Sequence, residues 1–581
     1  MRLKLAFLAF AAAAALDVCA IVQPAPAAAQ VRLPALGEAE GDELGIADER
    51  KVGDRIMREI YADPSVIDDP VVFDYVNGIF QKLLAAAERR GNVSEEMQET
   101  FAWAPFLVQD RTFNAFALPG GYIGVHLGLI AAAGTRDELA SVLGHELSHI
   151  TQRHIARSAV ANKHQSIATL VAMVLGLLAT AKTGNADVPM AILTSGQATI
   201  ATNQLTFSRE MEREADRFGL DVMTEAGYAP SGMASMFERL DTAMRLNDTN
   251  QYPWLRSHPL TIERLAEARL RARSVPAADP RTLGVFEHAL MRIRSRAIMD
   301  TSDPALRALQ QQGRSEAPLN DAERLAALYG AVLASVELRD FEAADGFLAK
   351  AQKALAQHAE VAAAWAAAHP GEPGATPAAK AEVASAAASA PTFAALFAPA
   401  SAASGASTPA PGVQPVWPIE PIVLRDFKLL RLQVAAAHPT PGALSASEAD
   451  LADDGSRAVA LARAQAALAR SVSRDPQANA ALKRETEALQ TWVAVHPKDS
   501  LAWSLLAQCA EPLGEKLRAI RAEAESHAAR GDVIGALDRL HAGQRVARTS
   551  NADFVEASII DARTREMEIR RRELSKEFGD R

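Results

Sequence analysis

The run His145-Glu146-Leu147-Ser148-His149 constrains this chain more than any other five residues. Histidines four apart in a helix lie about one turn apart on the same face. Both imidazoles can then reach one ion, while the glutamate beside the first points at the same space. The spacing therefore predicts a helix that presents a zinc-hydrolase geometry. Two histidines do not complete such a site, because a catalytic zinc needs a third protein ligand and one position left for water. The candidate lies downstream, in Phe207-Ser-Arg-Glu-Met-Glu-Arg-Glu-Ala-Asp-Arg-Phe-Gly219. In a helix Glu212 and Asp216 share a face, so the first can reach a metal while the second holds a ligating histidine from behind. Glu210 and Glu214 fall on other faces. A charged helix is commonly just a solvated face, so spacing alone leaves the role of Glu212 open.

The 581 residues exceed one ordinary domain. Residues 1–30 read as a secretory signal, with Arg2 and Lys4, an apolar stretch from Leu5 to Leu16, and the small residues of Pro24-Ala-Pro-Ala-Ala-Ala-Gln30 before a cleavage near Ala29 or Gln30. The stretch is short for an uncleaved membrane anchor. Asp17 and Val18 stand where lipidation of Cys19 would want small, uncharged residues. A net charge of −10 excludes nucleic acid as a partner. Once the leader is removed Cys509 is the lone cysteine, so no internal disulfide forms and stability must come from core burial and metal.

Residues 45–90 carry helical periodicity through Ile56, Ile60, Val72, Tyr75, Val76, Ile79, Phe80 and Leu83. The segment Phe101–Gln109 is strand-like, with a proline that favours an edge or a bulge. Asn114–Leu127 holds two short extended runs around a Pro119-Gly120-Gly121 turn. A small sheet beside the zinc helix is expected. The apolar run 167–181 is too short to span a bilayer and reads as a buried hairpin or a flap over the cleft, with peripheral membrane contact left open. Residues 359–418 collapse into Ala, Pro, Ser and Gly and read as a flexible insert without chemistry. The flanking segments 301–358 and 419–581 show fragments of a thirty-four-residue tetratricopeptide pattern, around Asp340-Phe341, from Pro497 through Trp503, and at Arg530-Gly-Asp-Val-Ile-Gly-Ala536. Generic antiparallel helices fit the same fragments. Either way the region is an α-helical array.

His-Glu-Leu-Ser-His followed by Ser208-Arg-x-x-Glu212-x-Glu-Ala-Asp216-Arg resembles metallopeptidase family forty-eight. Asn114-Ala-Phe-Ala-Leu-Pro-Gly-Gly121 upstream and Ser257-His258-Pro259 downstream extend the likeness, which is close over residues 42–275 and looser beyond. The resemblance implies a mainly α fold with a small β-sheet: a gluzincin-type zinc metallopeptidase domain over residues 31–300, then the tetratricopeptide-like array. It implies one zinc ion held by His145, His149 and Glu212, with Glu146 as general base and Asp216 behind a ligating histidine. It associates His258 with the same site, either filling the water position or, once released, donating a hydrogen bond to the oxyanion.

The signal and the repeats resemble the family's periplasmic members, which combine protease and chaperone roles in outer-membrane assembly. The expected function is therefore a periplasmic zinc endopeptidase acting on misfolded or misassembled envelope proteins, whose helices bind clients or the outer-membrane assembly machinery. The alternative is a chaperone-like assembly factor whose protease is normally shut. Peptide substrates would add a strand to the sheet edge near Pro119, which gives broad specificity. His126 and His154 read as packing residues, with a place behind the zinc ligands as the less favoured alternative. The lone Cys509 and the Ala/Pro insert depart from the relatives without touching the zinc motifs.

Overall fold

The computed structural model describes residues 44–161, 208–246, 253–274, 284–317, 319–368, 418–438, 442–471, 476–549 and 553–578. The signal, the apolar run 167–181 and the insert beyond residue 368 lie outside them. Helix α1 (Ile46–Tyr61) and helix α2 (Pro70–Arg89) form where the apolar stripes predict, and every stripe residue is buried. Between them lies strand β1 (Val66–Ile67). Asp69 starts α2 by accepting the Val72 N–H at 3.0 Å, with Pro70 in the first turn, where its missing N–H is harmless.

After the short helix α3 (Glu95–Thr100) come strands β2 (Ala104–Val108), β3 (Ala115–Leu118) and β4 (Tyr122–His126). They form one four-stranded sheet in the order β1-β2-β4-β3. β2 runs parallel to β4, and the other two pairings are antiparallel. The expected turn joins β3 to β4, where Gly120 and Gly121 adopt φ of 77° and 88°, a region that only glycine enters without strain. The proline expectation needs correcting, because β2 is an inner strand. β1 covers only Leu107 and Val108 of it, so Pro105 sits on the half that lacks that neighbour, where no ladder bond is lost.

The rest is helical: α4 (Leu127–Ala132), α5 (Arg136–Thr151), α6 (His154–Ala161), α7 (Arg209–Glu225), α8 (Ser231–Leu246), α9 (Pro253–Ser257), α10 (Ile262–Ser274) and α11 (Val285–Met299). Thr135 caps α5 by accepting the Glu138 N–H, and Ser208 caps α7 by accepting the Met211 N–H, each at 3.2 Å. Acidic residues in both first turns suit the helix dipole. The two helices cross at Gly144 and Gly219. A Cβ on Gly219 would stand 3.0 Å from the His145 nitrogen, so a side chain at this crossing would press the two backbones apart by a few tenths of an ångström.

Beyond α11 follow α12 (Asp303–Arg314), α13 (Asp321–Glu337), α14 (Phe341–Ala368), α15 (Pro421–Ala437), α16 (Ala443–Ala449), α17 (Arg457–Ser471), α18 (Pro476–Val495), α19 (Ser500–Ala510), α20 (Lys516–Ala529), α21 (Val533–Thr549) and α22 (Phe554–Phe578). Helix α14 continues through residues 359–368, so the sequence expected to begin the insert extends a helix instead. Alanine is the strongest helix former, and an alanine-rich run attached to a helix prolongs it. One apolar core runs without a break from Val71 to Ala466, and so joins the sheet and α5 to the first array helices. Two smaller clusters hold the later helices, one of them around the buried Cys509, whose thiol burial pushes up to about 12.

Candidate metal centre

His145 and His149 lie on the last two turns of α5, Glu212 on the first turn of α7, and His258 directly after α9, where its N–H bonds to Trp254 O at 2.8 Å. All four side chains are buried. Each offers a donor atom, and the four atoms lie within 4.8 Å of one another. His145 Nε2 stands 3.0 Å from His149 Nε2 and 3.2 Å from His258 Nδ1. Glu212 oxygens lie 3.5 Å from the Nε2 atoms of His145 and His149, and 2.9 Å from His258 Nδ1. Tetrahedral ligation with bonds of about 2.0–2.1 Å spaces neighbouring donors about 3.3 Å apart, so this donor set fits a zinc-sized cation.

The electrostatics point the same way. Burial disfavours charge on His145, but the Asp216 and Glu212 carboxylates outweigh it and raise the imidazole to about 9. Burial also opposes charge on Glu212, yet His258 and His145 hold it well below the ordinary carboxylate range. Burial, followed by the neighbouring His145, keeps His149 neutral, with the lone pair of one ring nitrogen available. Three imidazoles among acidic groups make a place where positive charge is favoured.

Asp216 Oδ1 lies 3.0 Å from His145 Nδ1, on the ring edge away from the other donors. Burial would raise Asp216, but Arg264 and then His145 hold it low. Arg264, from α10, grips the Asp216 carboxylate through Nε at 2.6 Å and Nη2 at 2.8 Å. Its Nη1 lies 2.8 Å from Glu212 Oε2 and donates to Pro259 O at the same distance.

Glu146 Oε2 accepts the backbone N–H of Ala117 in β3 at 3.1 Å, and its Oε1 accepts Trp254 Nε1–H at 2.8 Å. The Trp254 ring stacks on His258 with centroids 5.0 Å apart. α9 and the residue that follows it therefore place one side chain on Glu146 and another on the metal group. Sequence reading missed Trp254 and Arg264. The available signal was spacing: Trp254 stands four residues before His258, and Arg264 lies in the first turn of the next helix after the Ser-His-Pro turn.

His154 takes the less favoured of its two readings. It does not merely pack, since its Nδ1 lies 2.9 Å from His149 Nδ1 and its Nε2 lies 3.1 Å from Glu214 Oε2. Glu214 does sit on another face of α7, and that face is the one α6 covers. His126 meets the packing expectation at the end of β4, held by Thr112 at 2.9 Å. Among the described residues no helix is long and apolar enough to cross a membrane.

Residues 76–272, which contain this whole constellation, match the model of peptidase family M48. A Vibrio cholerae protein assigned the name of a beta-barrel assembly-enhancing protease is 32% identical over 341 residues, covering 58% of this chain and 67% of its own length. The beta-barrel assembly-enhancing protease of Escherichia coli is 30% identical over 334 residues, 56% of this chain and 63% of its own. The mitochondrial metalloendopeptidase OMA1 of Saccharomyces cerevisiae is 29% identical over 195 residues, 33% of this chain and 53% of its own. The chain thus spans about two thirds of the two bacterial relatives, and it belongs to peptidase family M48, a metallopeptidase by its family and by the donor group it buries.

Proposed function

We propose that the chain is a zinc-dependent endopeptidase that cleaves misfolded or misassembled envelope proteins in the periplasm, with a helical array that binds clients or the outer-membrane assembly machinery. The observation that carries this reading is the convergence of His145, His149, Glu212 and His258 beside Glu146. The names of the two bacterial relatives agree with the setting. Residues 31–300 would form the peptidase part, 301–358 and 419–581 tetratricopeptide-like helices, and 1–30 a cleaved signal.

In this reading His145, His149 and Glu212 hold the ion, and Asp216 fixes the His145 ring. A bound zinc would supply Lewis acidity, bringing the pKa of a water from about 15.7 towards 7 and polarising the scissile carbonyl. Glu146 takes the proton from the attacking water and delivers it to the leaving amine. The Ala117 N–H fixes one oxygen of that carboxylate and points away from β4. β3 is the sheet edge, so an extended substrate added there runs past Glu146, aligned by its backbone. Arg264 offsets the charge of Glu212 and Asp216.

A second reading is favoured by α9. His258 lies against Glu212 and Trp254 against Glu146, so this short helix and the residue that follows it occupy both the fourth metal position and the base. The protease would then be shut at rest, with the array acting as a chaperone-like assembly factor until α9 moves. The test is zinc content and cleavage of an unfolded polypeptide for wild type, Glu146→Gln, Glu212→Gln and His258→Ala. The endopeptidase reading expects one zinc per chain, lost in Glu212→Gln, and cleavage lost in Glu146→Gln; the shut reading adds faster cleavage in His258→Ala at matched zinc. Failure of both wild type and His258→Ala to cleave anything while loaded with zinc would sink the endopeptidase reading.

A further inference from the structure

We propose that His154 and Glu214 are positioning residues that fix the tautomer and aim of His149, a relay that rests on the zinc reading above. To offer a lone pair at Nε2, the His149 ring must carry its proton on Nδ1. That nitrogen lies 2.9 Å from His154 Nδ1, which must then accept. The proton of His154 is thereby sent to Nε2, 3.1 Å from Glu214 Oε2, which can only accept. Arg157 Nη1 donates to the same carboxylate oxygen at 3.0 Å and holds it in place. Each link has one consistent direction, from His149 to His154 to Glu214.

The backbone is bent to make this contact. Arg153, between α5 and α6, has φ of 53°, a left-handed conformation that a non-glycine residue adopts only at the expense of about 1–2 kcal/mol. Its side chain is held by Glu49 at 3.1 Å and by the carbonyl of Leu44. The turn returns the chain so that His154, fully buried, faces His149 across the end of α5. Helix α7 thus supplies three carboxylates with three tasks: Glu212 to the ion, Asp216 directly to His145, and Glu214 to His149 through His154.

The experiment is zinc affinity by chelator competition, with the visible spectrum of the cobalt-loaded chain, on the full chain and its variants. His154→Leu should bind zinc about 10–100-fold more weakly and shift the cobalt bands, as loss of a ligand's outer partner does elsewhere. His154→Gln should recover most of the affinity, because its amide accepts at one atom and donates at the other. Glu214→Ala, at a partly exposed position that folding tolerates, should weaken zinc in the same direction and by less. Normal zinc loading of wild type with His154→Leu or Glu214→Ala within about twofold of it overturns the relay alone. A wild-type chain that takes up no zinc overturns the zinc reading and the relay with it.

Discussion

The metal centre and the C-terminal array both bury charge, but they neutralise it differently. In the array each buried acid meets a base: Arg521 grips Glu556 through two bonds, at 2.6 and 3.2 Å, and both side chains are within a few per cent of full burial. Around the C-terminal half of α5 the buried groups include His145, Glu146, His149, His154, Glu212 and His258, and among the described residues Arg264 is the buried guanidinium set against them. A closed ion pair holds two helices together, and its job ends there. A surplus of lone pairs aimed at one point requires a cation and does chemistry when it has one. The shared apolar core from Val71 to Ala466 means that this difference is one of local composition, within a single continuous packing.

The sharpest way to break the comparison is Glu146→Gln. It should lower cleavage of an unfolded polypeptide by about 10²–10⁴-fold while zinc content, read by atomic absorption, stays at the wild-type level. Retained activity would show that the surplus carboxylate beside the donors does no proton transfer. Next is Arg521→Ala, which leaves Glu556 buried without its partner and should cost about 3–5 kcal/mol in the unfolding of the array. Calorimetry checks this, and zinc content should not move. Replacing the pair together, with Met and Leu, should restore most of the loss.

Gly219→Val tests the crossing of α5 and α7. A side chain at that contact must force the helices apart, so we expect a loss of about 1–3 kcal/mol together with weakened zinc binding. Unchanged zinc affinity would separate the crossing from the site.

The smallest effect is expected at His288, which links α11 to the peptidase side. Tyr75 Oη lies 2.6 Å from its Nδ1, and its Nε2 donates to Ala133 O at 3.0 Å. Burial, aided by Arg292, lowers the ring to about 3. Above the unfolded value of about 6.5 the ring is neutral in both states and adds no slope. Below it the unfolded chain binds a proton that the folded chain refuses, so stability falls as pH drops, by up to about 1.4 kcal/mol per pH unit. Denaturation midpoints between about pH 7 and about pH 5 should show this slope, and His288→Gln, which can keep both bonds, should flatten it.

Much of the site was legible because helical periodicity is local. His145 and His149 share a face by spacing alone, and Asp216 stands one turn beyond Glu212 on theirs. The apolar stripes of α1 and α2 were equally plain. Trp254 and Arg264 were not legible, since each acts across a gap in sequence that only packing closes. Trp254 meets Glu146 from 108 residues away, and Arg264 meets Asp216 from 48. Pro105 and residues 359–368 misled for a related reason. A proline's or an alanine run's preference is weak, and its neighbours decide whether it matters.

The sequence by itself determined that two imidazoles and a carboxylate would sit on one helical turn, because backbone hydrogen bonding fixes the period at 3.6 residues wherever a helix forms. It also determined a mainly helical chain with a small sheet. Only the tertiary structure decided which distant groups complete the centre. A glycine crossing brings α7 against α5, a left-handed Arg153 returns His154 to His149, and α9 sets Trp254 and His258 on the base and the donors. Those meetings depend on the summed packing of many residues, and no local pattern encodes that sum.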